Sequence, residues 1–212
     1  MQILGRDILI SLIVISIIMF INVKCKNERG TYLYNICIII FSMTMVIIFS
    51  LTGISPMSGF HIDIKIEEIS FIPFMTIIEM LQGGITLHTI INIIGNIVMF
   101  MPIGFFSPLL WTKLNSLKKV VLFGFGISFI IEFTQLFLIR ATDINDLILN
   151  TSGTMLGYLV LLAFKKLILE VDNKINIDLK FMKKEQILFI CILVPYIVII
   201  IGGFYDRYIN LV

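Results

Sequence analysis

The sequence predicts an all-α protein: a polytopic membrane helical bundle with about six transmembrane helices and one interfacial or re-entrant helix in an external loop. Hydrophobic residues make up 58% of the chain and charged residues only 14%, which is outside the range of ordinary soluble domains. Apolar runs also recur at lengths near the roughly 20 residues that a helix needs to cross a bilayer. The runs are continuous and do not alternate, which favours helices over spanning strands.

Six such runs divide the chain, so a single integral membrane domain over residues 1–212 is expected. The first run is short, but no small-residue cleavage site follows it, and we interpret it as a helix and not as a signal peptide. The predicted spans are residues 8–23, 33–54, 89–110, 120–139, 147–164 and 187–204.

The basic residues predict the orientation of these spans. Twelve of the 16 Lys and Arg residues lie in three alternate loops, between the first and second, third and fourth, and fifth and sixth runs. By the positive-inside rule these loops face the cytoplasm, so both termini are expected outside. Frequent Ile and Lys with few Ala residues are typical of an AT-rich, bacterial genome, and a multi-pass protein of the bacterial plasma membrane is expected.

The external loop 55–88 contains one more apolar segment. It begins at Pro73 and ends at Gly83 and Gly84, which are typical start and stop residues of a helix. At about ten residues the segment is too short to span a bilayer. This segment is therefore the predicted interfacial or re-entrant helix.

Polar residues are concentrated where the predicted topology places the outer half of the membrane. Asn92 and Asn96 share one face of the third span, and Glu132 and Gln135 share another on the fourth. Since the fourth and fifth spans are joined by a short turn, they are expected to pack as antiparallel neighbours. The predicted ligand-binding pocket comprises Asn92, Asn96, Glu132, Gln135, Arg140, Asp143, Asp146 and Asn150.

A structural role for the same residues stays open at this point. A charged side chain at mid-membrane costs about 2.5–3.5 kcal/mol and often marks function, but Asn, Gln and Ser also serve as interhelical hydrogen-bond donors and acceptors. Glu132, Arg140 and Asp146 could form an ion-pair network, and Asp143 could cap a helix. The residues assigned a structural role are Pro73 at a helix start, Pro102 and Gly104 for kinks and packing, and Gly153 and Gly157 for close helix packing.

Three segments of the sequence resemble the VanZ-like family of bacterial membrane proteins, named for a protein of teicoplanin resistance. They are "FIPF" from Phe71, "NIIGNIVMFMPIGFFSPLLW" from Asn92 and "GISFIIEFTQLFLIRATDINDLILNTSGTMLGY" from Gly126. Ser70 stands where the family usually has Asn. The resemblance covers a core of about 33–164, with the predicted transmembrane helices 8–23 and 187–204 on either side.

The resemblance implies a multi-pass envelope protein, and some family members raise resistance to glycopeptide antibiotics. The first hypothesis is a non-enzymatic protein whose outer pocket binds a lipid-linked cell-wall precursor or another envelope component. Arg140 would contact an anion because its planar guanidinium suits phosphate and carboxylate. Asn96, Gln135 and Asn150 would orient the ligand, and the carboxylates Glu132 and Asp146 would position Arg140 or bind a cation.

Two alternatives are less favoured. A membrane-embedded enzyme acting on a lipid head group would use Glu132 as acid or base, with Arg140 and Asp146 beside it. A small transporter or lipid translocator would be expected to show an inverted repeat, and none is visible in the sequence. His61 and His88 have no metal-ligand spacing, so neither a metal nor a cofactor is expected. Membrane lipid is the expected partner and nucleic acid is not, since no aromatic residues interleave the basic ones; the oligomeric state is left open.

Overall fold

The regular secondary structure of the described part of the chain is all helical. In this computed structural model the helices are α1 (Arg29–Leu51), α2 (Leu87–Leu110), α3 (Leu117–Gln135), α4 (Ile144–Val171) and α5 (Glu185–Leu211). The described residues are 29–52, 78, 82, 86–111, 113–137, 143–171 and 185–211, and they contain no strand. The all-helical prediction is therefore confirmed for this part of the chain.

Several sequence predictions fall outside these residues. The first predicted span, 8–23, lies outside the described residues, as do Pro73 and Arg140. Of the predicted interfacial helix only Ile78 and Gln82 are described, and both are helical and exposed. These predictions stay predictions.

Within the part of the chain that the structure describes, two helices are long and apolar enough to cross a membrane by length and composition. They contain the stretches Ile90–Leu110 in α2 and Ile144–Lys166 in α4, while α1 and α5 contribute the shorter apolar stretches Ile36–Leu51 and Cys191–Tyr205. The 19 residues of α3 are not among the candidates, and they include Lys118, Lys119 and Glu132. Membrane association is therefore indicated, but the count of six spans is not confirmed.

The residues in contact between helices show the relative directions of α2, α3 and α4. The contacts between α3 and α4 pair Ser128 with Asn150, and Glu132 with Asp143. Residue numbers therefore increase along α3 in the direction in which they decrease along α4. Between α2 and α4, residue numbers increase in the same direction, because Gly153 lies against Ile97 and Gly157 against Met101. Helices α3 and α4 are thus antiparallel, and α2 and α4 are parallel.

This arrangement separates two ends of the bundle. A hydrogen bond from Gln135 to the carbonyl of Thr52 brings the carboxyl end of α3 to that of α1. The amino-terminal parts of α2 and α4 lie at this same end, which we call the polar end. At the opposite, basic end lie Lys113, Lys118, Lys119, Lys165 and Lys166.

One half of the interior is an apolar core around α1. Phe41 and Phe49 of α1 and Phe100 of α2 are 1% exposed or less. Side chains from α3 and α5 complete the packing, and none of the described residues of this core belongs to α4. The apolar core comprises Ile38, Phe41, Met45, Ile48, Phe49, Phe100, Ile103, Leu110, Ile127, Ile131, Cys191 and Ile199.

The other half of the interior is a close crossing of backbones, which we call the glycine crossing. A Cβ atom added to Gly153 or Gly157 would overlap the carbonyl groups of Ile97 or Met101 on α2, and one added to Gly104 would overlap that of Thr154 on α4. These three glycines therefore let α2 and α4 approach until backbone meets backbone.

The outer surface of the bundle is apolar while polar groups are buried inside. Leu122, Ile91 and Ile201 are 65%, 61% and 62% exposed, whereas Glu132 and Asn150 are only 7% and 2% exposed. Monomeric soluble proteins rarely expose continuous apolar surfaces of this kind. This distribution agrees with the membrane association that α2 and α4 indicate.

Candidate functional site: a polar layer at one end of the bundle

Two interhelical hydrogen bonds tie α4 to both of its neighbours at the polar end. Asn96 of α2 donates its side-chain N–H to the carboxylate of Asp146 at 2.7 Å. Asn150 donates to the hydroxyl of Ser128 on α3 at 2.9 Å. The group around these bonds, which we call the polar layer, comprises Asn96, Ser128, Glu132, Asp143, Asn145, Asp146 and Asn150.

Asn150 is one of the most deeply buried residues of the polar layer. Ser128 is fully buried and Asn150 is 2% exposed. The carbonyl oxygen Oδ1 of Asn150 has no hydrogen-bond partner among the residues that the structure describes. Exchanging the oxygen and nitrogen of this carboxamide would leave a buried N–H group without a partner instead. In either assignment, one buried polar atom of Asn150 has no hydrogen-bond partner among the described residues. An unpaired buried polar atom lowers the stability of the folded state, and such atoms are uncommon in native proteins.

Asp143 caps the start of α4. Its Oδ1 accepts hydrogen bonds from the backbone N–H and the side-chain amide of Asn145, at 2.9 Å and 2.7 Å. This is the N-cap geometry, in which an Asp side chain satisfies a free N–H of the first turn. The backbone N–H of Asp143 in turn donates to Oε2 of Glu132 at 3.3 Å, so Glu132 reaches across from α3 to the start of α4.

Gln135 lies at the same end but points toward α1. Its side-chain N–H donates to the backbone carbonyl of Thr52 at 2.6 Å, just beyond the last turn of α1. Carbonyls at a helix end lack a partner within the helix, so this bond satisfies one of them. The contact gives Gln135 a structural role besides the ligand contact predicted for it.

The remaining predicted site residues are placed less centrally or lie outside the description. Asn92 lies one turn before Asn96 on α2 and is half-buried. Arg140 belongs to 138–142, between α3 and Asp143, and so lies outside the described residues, as does His61. His88 belongs to the first turn of α2.

A protein-family model, VanZ/LLP1, matches residues 33–165. The chain belongs to the VanZ/LLP1 family. The resemblance predicted from the sequence is thereby confirmed, and the matched residues include the whole polar layer and the glycine crossing. No curated protein and no solved structure matches the chain.

Sequence reasoning missed two buried polar residues of α4 in this VanZ/LLP1 protein. Asn145 is 2% exposed and sits between the two aspartates in the chain. Thr154 is fully buried, donates to the backbone carbonyl of Asn150 and lies where a side chain on Gly124 would have to go. Thr154 follows Asn150 by four residues, so helical periodicity alone could have placed it on the same face.

The polar layer offers neutral donors and acceptors together with carboxylates. Among the described residues no group of three His, Cys, Asp or Glu side chains has the proximity that a metal ion needs. Amides and hydroxyls recognise polar groups of a ligand by hydrogen bonding. The arrangement in this VanZ/LLP1 protein therefore provides groups that can form hydrogen bonds and ionic contacts at the polar end.

Proposed function

We propose that this VanZ/LLP1 protein is a multi-pass protein of the bacterial plasma membrane whose polar end faces outward. There its polar layer binds the polar head of a lipid-linked or other cell-wall-related molecule. Through this binding it lowers susceptibility to glycopeptide antibiotics such as teicoplanin. No reaction needs to be catalysed for this effect.

The opposite positions of the lysines and the polar layer support the orientation. On α3, Lys119 and Glu132 are separated by about 20 Å at the usual rise per residue. That distance is a large part of a hydrocarbon core of about 30 Å. Because lysine-rich ends stay on the cytoplasmic side, the polar end would face the side on which glycopeptides act.

The observation that carries the binding proposal is the unused hydrogen-bonding group of Asn150. A buried amide oxygen without a described partner gains free energy from any donor that reaches it, such as a sugar hydroxyl or an amide N–H. Its neighbours Ser128 and Thr154 are both fully buried, so the surroundings of the group are fixed before a ligand arrives. Preorganised groups of this kind lose little freedom on binding.

The charged residues of the site would act on ionic parts of the ligand. Arg140, which follows α3 in the sequence, is the proposed contact for phosphate or carboxylate. Glu132 and Asp146 would hold that guanidinium or a cation. A lipid-linked cell-wall precursor carries hydroxyl, amide and phosphate groups together, and it therefore matches this set of side chains.

A susceptibility assay tests the role of Asn150. The full chain is expressed in a susceptible strain in which it raises teicoplanin resistance, and Asn150→Ala is compared with Ser152→Ala on the same helix. Ser152 is half-buried and its hydroxyl donates to the carbonyl of Ile148 in its own helix, so we expect resistance to be kept there. Asn150→Ala should lose most of the protection at an equal protein level. Full protection in Asn150→Ala would contradict the proposal.

The charge at Arg140 is tested in the same strain against a lysine of the basic end. Arg140→Ala should abolish protection, while Lys118→Ala, at an exposed position, should keep it. Equal resistance in both variants would show that Arg140 is not part of the proposed site.

A separate assay distinguishes binding from catalysis. The purified protein is incubated with lipid-linked cell-wall precursors, and chemical change of the precursor is followed. Turnover that disappears in Glu132→Gln would replace the binding proposal with an enzyme that uses Glu132 as its acid or base.

A further inference from the structure

We propose that Tyr196 is a positioning residue for the polar layer, although it lies on α5, outside the residues that match the family. Its hydroxyl fixes the last turn of α3, and with it the placement of Glu132 and Gln135. The consequence for ligand binding rests on the function proposed above, but the contact itself can be tested without it.

The last turn of α3 needs support from outside the helix. After Gln135 the helical pattern tightens: the N–H of Leu136 still donates four residues back, to the carbonyl of Glu132, but that of Phe137 donates only three residues back, to the carbonyl of Thr134. Helix ends loosen readily because their final carbonyls have no partner further along the helix. Glu132 is in this turn, so any loosening would move its carboxylate relative to Asp143.

Tyr196 supplies this support through one hydrogen bond. Its hydroxyl lies 2.9 Å from Oγ1 of Thr134. The single proton of the Thr134 hydroxyl is used in a 2.7 Å bond to the carbonyl of Ile130. Thr134 must therefore accept from Tyr196, and the tyrosine hydroxyl is the donor.

The ring of Tyr196 is itself held by the apolar core. It packs edge-to-face against Phe49 of α1, with ring centroids 5.5 Å apart. Phe49 is 1% exposed, and Pro195, directly before the tyrosine, is buried. Because the ring is held in place by the apolar core, the position of the hydroxyl is also restrained. Its hydrogen bond to Thr134 therefore holds the end of α3 in a defined position relative to the core.

A second contact acts in parallel on the neighbouring residue. Gln135 holds the same turn to α1 through the carbonyl of Thr52 at 2.6 Å. Together the two bonds attach consecutive residues of α3 to α5 and α1. Loss of the Tyr196 hydroxyl should therefore loosen the turn without releasing it altogether.

Hydrogen–deuterium exchange on the full chain in lipid nanodiscs measures this directly. Tyr196→Phe keeps the ring and removes the hydroxyl, and we expect amide exchange at residues 130–137 to rise about threefold, as the loss of one weak membrane hydrogen bond predicts. The matched control is Tyr205→Phe on the same helix, whose side chain is 61% exposed. Thr134→Val should reproduce the increase, and Thr134→Ser, which keeps the acceptor oxygen, should restore slow exchange. Unchanged exchange in Tyr196→Phe would overturn the inference.

The resistance assay then tests whether Tyr196 affects the proposed binding site or only the local structure of α3. If Asn150→Ala lowers resistance, Tyr196→Phe should lower it as well, while Tyr205→Phe should not. Faster exchange in Tyr196→Phe with full resistance would overturn the positioning role. If Asn150→Ala keeps full resistance, the proposed function fails, and the exchange data alone then decide whether Tyr196 fixes the turn.

Discussion

The apolar core and the glycine crossing solve the same packing problem in opposite ways. In the apolar core, large side chains such as Phe41 and Phe100 fill the space between helices. In the glycine crossing, Gly153 and Gly157 leave no side chain at all, and α4 meets the backbone of α2. The polar layer lies beside the second region, where α2 and α4 are close enough for Asn96 to donate to the carboxylate of Asp146. A polar contact between these two helices thus depends on small residues that let the helices approach.

The largest effect is expected from filling the glycine crossing. Gly157→Leu would place a side chain where the carbonyl of Met101 lies, and backbone cannot yield as a flexible side chain can. We expect a destabilisation of about 5 kcal/mol or more, measured by denaturant unfolding in detergent micelles. Gly95→Ala is the control, because a Cβ there meets nothing within 4 Å. A stable Gly157→Leu protein would show that the two helices can separate freely.

Emptying the apolar core should cost somewhat less. Phe100→Ala removes a fully buried ring and should destabilise the protein by about 3–5 kcal/mol through lost burial and the cavity left behind. The same unfolding measurement applies. Leu122→Ala, at a side chain that is 65% exposed, should change stability little. Similar losses in both variants would mean that the two positions do not differ in packing.

The polar layer should contribute little to stability although it carries the proposed site. A double-mutant cycle of Ser128→Ala and Asn150→Ala should give a coupling energy of about 0.6 kcal/mol, the average for hydrogen bonds between membrane helices. The unfolding free energies of the two single variants and the double variant supply the measurement. A coupling of several kcal/mol would make the layer a structural network and weaken the case for a ligand.

The smallest effect is expected on the outer surface. Phe125, Phe129 and Phe133 stack along one face of α3, with centroids 6.2 Å and 6.3 Å apart, and all three are at least 40% exposed. Phe129→Leu keeps an apolar side chain and should cost about 0.5 kcal/mol, the lower end for aromatic pairs. A larger loss in unfolding experiments would indicate that this face is buried against something in the folded state.

The sequence predicted the helices better than their ends. The third predicted span, 89–110, lies within α2, and the fifth, 147–164, lies within α4. Helix α4 continues past Lys165 and Lys166 to Val171, because helical hydrogen bonding does not stop where an apolar run stops. Hydropathy therefore predicts which part of a helix can be buried in lipid or in the core, but it does not predict where the helix ends.

The composition of the site was accessible from periodicity, but its connections were not. The spacing of Glu132 and Gln135 puts both on the buried face of α3. That Gln135 bonds the carbonyl of Thr52, 83 residues earlier in the chain, depends on the packing of α1. The bond between Tyr196 and Thr134 joins the family core to a helix without motif, so no pattern along the chain could indicate it. The ligand role of Arg140 stays a prediction.

The parallel course of α2 and α4 has a consequence for how the protein is made. The two helices cannot be joined by a short turn, so α3 must be synthesised before α2 can meet its partner. At that stage Ser128 and Glu132 lack the contacts that Asn150 and Asp143 provide later. In the proposed multi-pass arrangement, a helix that carries Glu132 into lipid without its partner is unfavourable, so insertion of α3 and α4 together as a hairpin would be favoured. The contacts that build the polar layer would then also set the order of membrane insertion.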